Sequence, residues 1–125
     1  MMIEVVAALI RDADGRLLIV RKAGTGAYML PGGKREPGED DLTALARELS
    51  EELGVRLVSA EKFGNFQAPA INEPGAHVRS DVYSVTVEGV YAPGAEIADH
   101  RWIDPNAPDE VPLAYLLSDQ VLPML

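Results

Sequence analysis

Residues 33–55 read GKREPGEDDLTALARELSEELGV. The stretch begins in a loop, where Gly33 completes Leu30-Pro31-Gly32-Gly33 and Pro37-Gly38-Glu39 follows. It then becomes a helix. Asp40 suits the N-cap, Asp41 suits the positive end of the helix dipole, and Gly54 suits the residue that ends it. Leu42, Leu45, Ala46, Leu49 and Leu53 recur at helical spacing and form the expected buried stripe. Glu48, Glu51 and Glu52 stand at i, i+3 and i+4, and about 100° per residue confines them to an arc of roughly 100° on one face. The leucine stripe centres about 120° from that face, so the helix can bury its leucines and keep its carboxylates at a cleft.

Three neighbouring carboxylates repel one another, and a helix selected only for folding would usually carry Lys or Arg among them. Hard oxygen donors converging on one point are what Mg²⁺ or Mn²⁺ requires. The competing reading is a solvated acidic face in an acidic protein. The adjacent glycines favour the metal, because they let the backbone approach a ligand closely and offer it a carbonyl oxygen. Ala44, one turn before Glu48, either leaves room for metal and phosphate or is present for helix propensity.

The same stretch is similar to the signature of the Nudix hydrolases: Gly, five residues, Glu, seven residues, Arg-Glu, an apolar residue, any residue, Glu-Glu, any residue, Gly, apolar. Gly33, Glu39, Arg47, Glu48, Leu49, Glu51, Glu52, Gly54 and Val55 fill every specified position. The resemblance implies an α/β fold, an α/β/α sandwich with a mixed sheet between helices. It implies Glu48 and Glu52 as principal metal ligands, Glu51 as ligand to a further metal, and the Gly32 carbonyl as an added oxygen. It implies Arg47 as the group that orients carboxylates such as Glu39 or Glu51. A plain i,i+4 surface pair between Arg47 and Glu51 is the alternative. The general base stays open between Glu51 and Glu96, since family members use different glutamates. Glu96-Ile97 ahead of Trp102-Ile103 resembles a downstream stretch of many members, although Glu96 also reads as an ordinary loop carboxylate.

The chain of 125 residues fits one domain, residues 1–125, with ordinary hydrophobic and charged content of 47% and 25%. It has no cysteine, which excludes disulfides and thiolate metal sites and is compatible with a reducing cytoplasm. The net charge of −9 argues against a nucleic-acid polymer as partner but not against a nucleotide whose phosphates are screened by cations. The apolar run Val5–Ile10 is too short to span a membrane and lacks the basic segment of a secretory signal. A homodimer is compatible with these features, which do not define an oligomeric state.

In chain order, a strand is expected over Ile3–Ile10, a turn at Asp12–Gly15 and a returning strand at Leu17–Val20. Arg21-Lys22 follows, either holding substrate or ending the strand in solvent. Residues 56–66 read as strand with breaks at Glu61-Lys62 and Gly64-Asn65, and Ala68–Gly75 reads as loop. Val78–Val87 alternates as a strand, and Glu96–Ile103 is the last strand expected. A proline-rich loop precedes a terminal helix of about two turns around Leu113–Val121, limited by Pro123.

His77 and His100 lack zinc-ligand spacing, and Gly33-Lys34-Arg35 is not a P-loop ending. The remaining chemistry is metal-assisted attack of water at phosphorus, and the resemblance implies Mg²⁺-dependent hydrolysis of a diphosphate linkage in a nucleoside diphosphate derivative or nucleoside triphosphate. A non-catalytic nucleotide-sensing module on the same fold is the alternative, and a metal-stabilised structural protein is a third. Tyr28, Phe66 and Tyr83 either stack a base or pack the core. Pro69, 15 residues past Gly54, is a weak family hint of ADP-ribose hydrolysis.

Overall fold

A computed structural model describes residues 1–108 and 111–125. Part of the expected proline-rich loop, at Asp109 and Glu110, lies outside the described residues. The strands are β1 (Met2–Leu9), β2 (Leu17–Lys22), β3 (Gly32–Gly33), β4 (Arg56–Pro69), β5 (His77–Glu88) and β6 (Ile97–Ile103). The α-helix α1 spans Asp41–Leu53.

β1 lies inside a mixed sheet of order β3-β1-β5-β4. It runs parallel to β5 and antiparallel to β3. Val6, Ala7, Ala8 and Leu9 are all buried, as a central strand covered on both faces requires. Val6 and Ala8 pack with Leu45, Leu49 and Leu53 of α1. Ala7, Leu9 and Val82 pack with Leu117 and Val121 from the C-terminal segment. Helix, sheet and helical segment form the α/β/α layers.

The Asp12–Gly15 turn forms, closed by backbone N–H groups of Asp14 and Arg16 donating to Asp12 Oδ1 at 3.0 and 2.8 Å. The strand after it does not return along β1. Among the described residues only an Arg11–Leu17 bridge remains, and β2 instead pairs antiparallel with β6 in a second sheet. β4 also differs from expectation. It runs unbroken to Pro69, and the irregular residues are absorbed as register shifts at Leu57/Ser59 and Lys62/Gly64. As an edge strand it tolerates a terminal proline.

The C-terminal helical stretch starts later than expected and runs through Pro123 instead of ending before it. A π-helical segment covers Leu116–Val121, and a 3-10 turn covers Leu122–Met124. Pro112 and Ala114 are held extended against Tyr28, which donates to the Pro112 carbonyl at 2.8 Å and accepts from Ala114 N–H at 2.8 Å. Among the described residues no helix is long and apolar enough to cross a membrane.

Candidate active site

α1 begins and ends where local chemistry demands. Asp40 caps it, accepting the Thr43 N–H at 2.8 Å, and Gly54 closes it in the left-handed region at φ 68°. Its buried face differs from the simple leucine stripe. Leu42 is exposed, whereas Ala44, Leu45, Leu49, Glu52 and Leu53 are buried. Ala44 therefore belongs to the core packing and not to a cleft wall.

The short strand β3 brings the backbone over this helix. Gly32 has φ 146°, and a Cβ there would lie 2.0 Å from the Val6 carbonyl oxygen. A Cβ on Gly33 would lie 2.7 Å from the Glu48 carboxylate. Only glycine allows both approaches.

Glu52 lies one turn from Glu48 and is 3% exposed. The Gly32 N–H approaches its Oε1 at 3.4 Å. Its Oε2 has no hydrogen-bond partner among the described residues. Burial pushes the Glu52 pKa up to about 8, neighbouring Glu48 adds to the rise, and Lys22 opposes it.

Arg47 organises the remaining carboxylates. Its Nε and Nη2 donate to Glu39 at 2.8 and 2.9 Å, and Nη1 donates to Glu48 Oε1 at 2.8 Å. Nη2 also donates to the Lys34 carbonyl at 3.0 Å. These charge-assisted bonds hold the Glu39 carboxyl down at about 2. The Glu51 carboxylate sits 3.4 Å from Arg47 Nη1 on the solvent side, with 58% of its side chain exposed against 14% for Glu48.

A cleft of about 600 Å³ opens beside these residues, and Glu52 and Glu39 are not among those that line it. Gly32, Arg47, Glu48, Glu51 and Glu96 all line it. Glu96 arrives because its loop is tied to the helix end. The Gly94 N–H donates to the Glu52 carbonyl at 2.9 Å, and the Glu96 carbonyl accepts from Ala23 N–H at 2.7 Å.

The basic pair is split between two roles. Lys22 lines the cleft, while Arg21 donates to the Thr25 carbonyl at 2.9 Å. Lys34, which the sequence did not single out, also lines the cleft. A second unanticipated feature secures the loop before α1. Arg35 donates to Asp41 and to Asp81 of β5, both at 2.6 Å, and the Tyr83 hydroxyl donates to Asp41 at 2.5 Å. No sequence spacing links Arg35 to Asp81; only the β5 position does.

Tyr28, Phe66 and Tyr83 do not line the cleft. Tyr28 is buried and its hydroxyl donates to Asp99, while Phe66 stacks on Phe63 with centroids 6.0 Å apart. His77 and His100 lie on β5 and β6, outside the cleft lining.

Among the described residues no three His, Asp or Glu side chains are already gathered as a metal cage. The donor set nevertheless fits a hard divalent cation. It offers two adjacent carboxylates, one with a buried unpartnered oxygen, beside a backbone that only glycine can bring so close.

A protein-family model described as NUDIX domain matches residues 1–124. The chain is 30% identical over 112 residues to the 8-oxo-dGTP diphosphatase of Haemophilus influenzae, covering 86% of this chain and 79% of that protein. It is 41% identical over 70 residues to the CTP pyrophosphohydrolase of Escherichia coli, covering 53% and 51%. Among solved structures, the E. coli ORF135 protein superposes with a TM-score of 0.74 at 34% identity, covering 93% of this chain and 86% of that one. The chain spans about half the length of several curated relatives that it matches.

Proposed function

This chain belongs to the Nudix family, and from that premise we propose that it hydrolyses a diphosphate linkage in a nucleoside diphosphate derivative or a nucleoside triphosphate. Mg²⁺ is its proposed cation, with Mn²⁺ able to substitute. The observation that carries the reading is Glu52, a buried carboxylate with one unpartnered oxygen beside Glu48 and the Gly32 backbone. Burying a carboxylate is costly, and a cation is the compensation that also serves chemistry.

Glu48, Glu52 and the Gly32 carbonyl would hold the cation, with Glu51 as a further ligand. Bound there, a divalent cation supplies neutralisation of diphosphate charge and a more acidic water. Arg47 keeps Glu48 and Glu39 in orientation through its planar fork. Lys22 and Lys34 offer positive charge to phosphate oxygens from the cleft wall. Glu51 and Glu96 are the two candidate general bases, since both are exposed and both line the cleft. The nucleotide substrates in the names of the relatives support a small nucleotide as ligand. The net charge of −9 disfavours a nucleic-acid polymer, and the lack of cysteine suits a reducing cytoplasm.

The test is phosphate release from a panel of nucleotides and nucleotide conjugates with Mg²⁺, Mn²⁺ or EDTA. Wild type should turn over one substrate class only with metal, and Glu52→Gln should lose that turnover by orders of magnitude. Glu51→Gln and Glu96→Gln assign the base by which one lowers kcat without raising the Mg²⁺ concentration needed for half-maximal activity. Full Mg²⁺-dependent activity in Glu52→Gln would sink the ligand assignment. Nucleotide binding without any turnover would turn the reading to a sensing module.

A further inference from the structure

We propose that Arg35 is a positioning residue: anchored on the face of the sheet away from the cleft, it fixes the backbone that aims the Lys34 ammonium at the phosphates of the substrate. The inference rests on the phosphate-facing reading of Lys34 above and deepens it. Lys34 and Glu36 line the cleft, and Arg35 between them does not. Lys34 is exposed, and its ammonium has no hydrogen bond or ion pair among the described residues. Its place is therefore set by the backbone.

That backbone has little secondary structure to hold it. β3 is two residues long, and Gly33 pairs with Val6 immediately before Lys34. Arg47 holds the Lys34 carbonyl at 3.0 Å, which fixes one point. Arg35 supplies the second. Val6 lies level with Gly33 on one side and with Asp81 on the other, so the Arg35 side chain spans β1 to reach β5. Its Nη2 donates to Asp81 and its Nε to Asp41, both at 2.6 Å. Both acceptors are themselves held. Asp81 also accepts from Lys62 Nζ at 2.9 Å and from Asn65 Nδ2 at 2.8 Å on β4, and Asp41 accepts from the Tyr83 hydroxyl at 2.5 Å.

Val78 and Ser80 of β5 line the cleft, and side chains alternate along a strand. Asp81 and Tyr83 therefore lie on the opposite face, where Tyr83 packs beside the leucines of α1. The anchor acts from behind the sheet without touching the substrate. An ordinary surface ion pair contributes little to stability. Here one planar guanidinium is shared by two half-buried carboxylates, 6 and 46 residues away, a geometry that a lysine cannot reproduce. Such a fork restrains position, and a displacement of about 1 Å in a group that meets the substrate is enough to weaken its action.

The experiment is calorimetric titration of the full chain, in the presence of Mg²⁺, with methylenediphosphonate, a diphosphate whose P–C–P bridge water cannot cleave. Lys34→Ala should weaken binding about tenfold or more, as loss of a charge-assisted hydrogen bond does. Arg35→Met keeps the aliphatic stem and should weaken binding about three- to tenfold. In the Lys34→Ala background the same change should alter affinity by less than about twofold, because Arg35 acts through Lys34. Asp81→Asn removes a negative charge, which by charge alone would tighten the binding of an anion, yet loss of the anchor should weaken it about two- to fivefold. Asp81→Asn, alone and with Lys34→Ala, carries the test if Arg35→Met fails to fold. The proposal is overturned if Arg35→Met lowers Tm but binds the diphosphonate as tightly as wild type, if it weakens binding equally with and without Lys34, or if Asp81→Asn tightens binding. A wild type that does not bind the probe, or a Lys34→Ala protein that binds it like wild type, overturns it too. Turnover of the nucleotide panel is read separately. Arg35-dependent binding without turnover removes the hydrolase reading alone, and turnover with binding that ignores Arg35 removes this proposal alone.

Discussion

Replacing Glu52 by Gln in metal-free protein should stabilise the fold, and the gain should grow with pH. In the native state burial lifts the Glu52 pKa from 4.5 to about 8. The folded protein therefore keeps a proton that the unfolded chain has released, so stability falls as pH rises between those two values. Glutamine mimics the protonated acid and has no such dependence. At 1.36 kcal/mol per pKa unit, Glu52 costs the fold about 1 kcal/mol near pH 5 and about 3 kcal/mol at pH 7, levelling off at about 5 kcal/mol above pH 9. The assay is urea denaturation of wild type and Glu52→Gln in EDTA at each pH. Titrating groups remote from Glu52 cancel in the difference between the two proteins, whereas its neighbours Glu48 and Lys22 contribute to it. Mg²⁺ at ten times its Kd should then return about 1.4 kcal/mol to wild type and little to the variant. A Glu52→Gln protein less stable than wild type at pH 7, or a difference that ignores pH, would refute the buried-carboxylate reasoning.

The two glycines of β3 should fail differently. Gly32→Ala drives a Cβ to 2.0 Å from the Val6 carbonyl at a positive φ, so it should be recovered unfolded or insoluble. Gly33→Ala meets only the end of the Glu48 side chain at 2.7 Å. It should fold with a near-native circular dichroism spectrum and show weakened Mg²⁺ stabilisation in thermal melts. Arg47→Lys should blunt the acid transition. The Glu39 pKa is held down at about 2, chiefly by its hydrogen bonds from Arg47, so its contribution is present above about 4.5 and disappears as pH falls toward 2. Lysine cannot reproduce the two-pronged contact, and the slope of Tm against pH over that acid range should be shallower in the variant.

Residues 33–55 made the helix legible before any coordinates, because capping, helical spacing and glycine termination are local chemistry carried by neighbours in the chain. Asp40, Gly54 and the leucines at 45, 49 and 53 behave as that chemistry requires. The grouping of Glu48 with Glu52 was legible for the same reason, since four residues is one helical turn. Burial was not legible. Glu51 and Glu52 are adjacent and identical in type, yet one is exposed and the other is buried with an unpartnered oxygen. That difference depends on where β3 crosses the helix.

Pairing partners were equally hidden. The turn at Asp12–Gly15 suggested a simple hairpin, but hydrogen bonding along a strand is satisfied by whichever edge tertiary packing presents, and for β2 that edge belongs to β6. Loop closure across that distance brought Glu96 to the cleft, joined Arg35 to Asp81, and laid Ser80 beside Val5. The sequence by itself determined the helix, its acidic face and the glycines that approach it, because those depend on interactions between near neighbours. Only the tertiary structure decided which carboxylate is buried, which cations face the cleft and what lines its apolar end, because those depend on contacts between residues tens of positions apart.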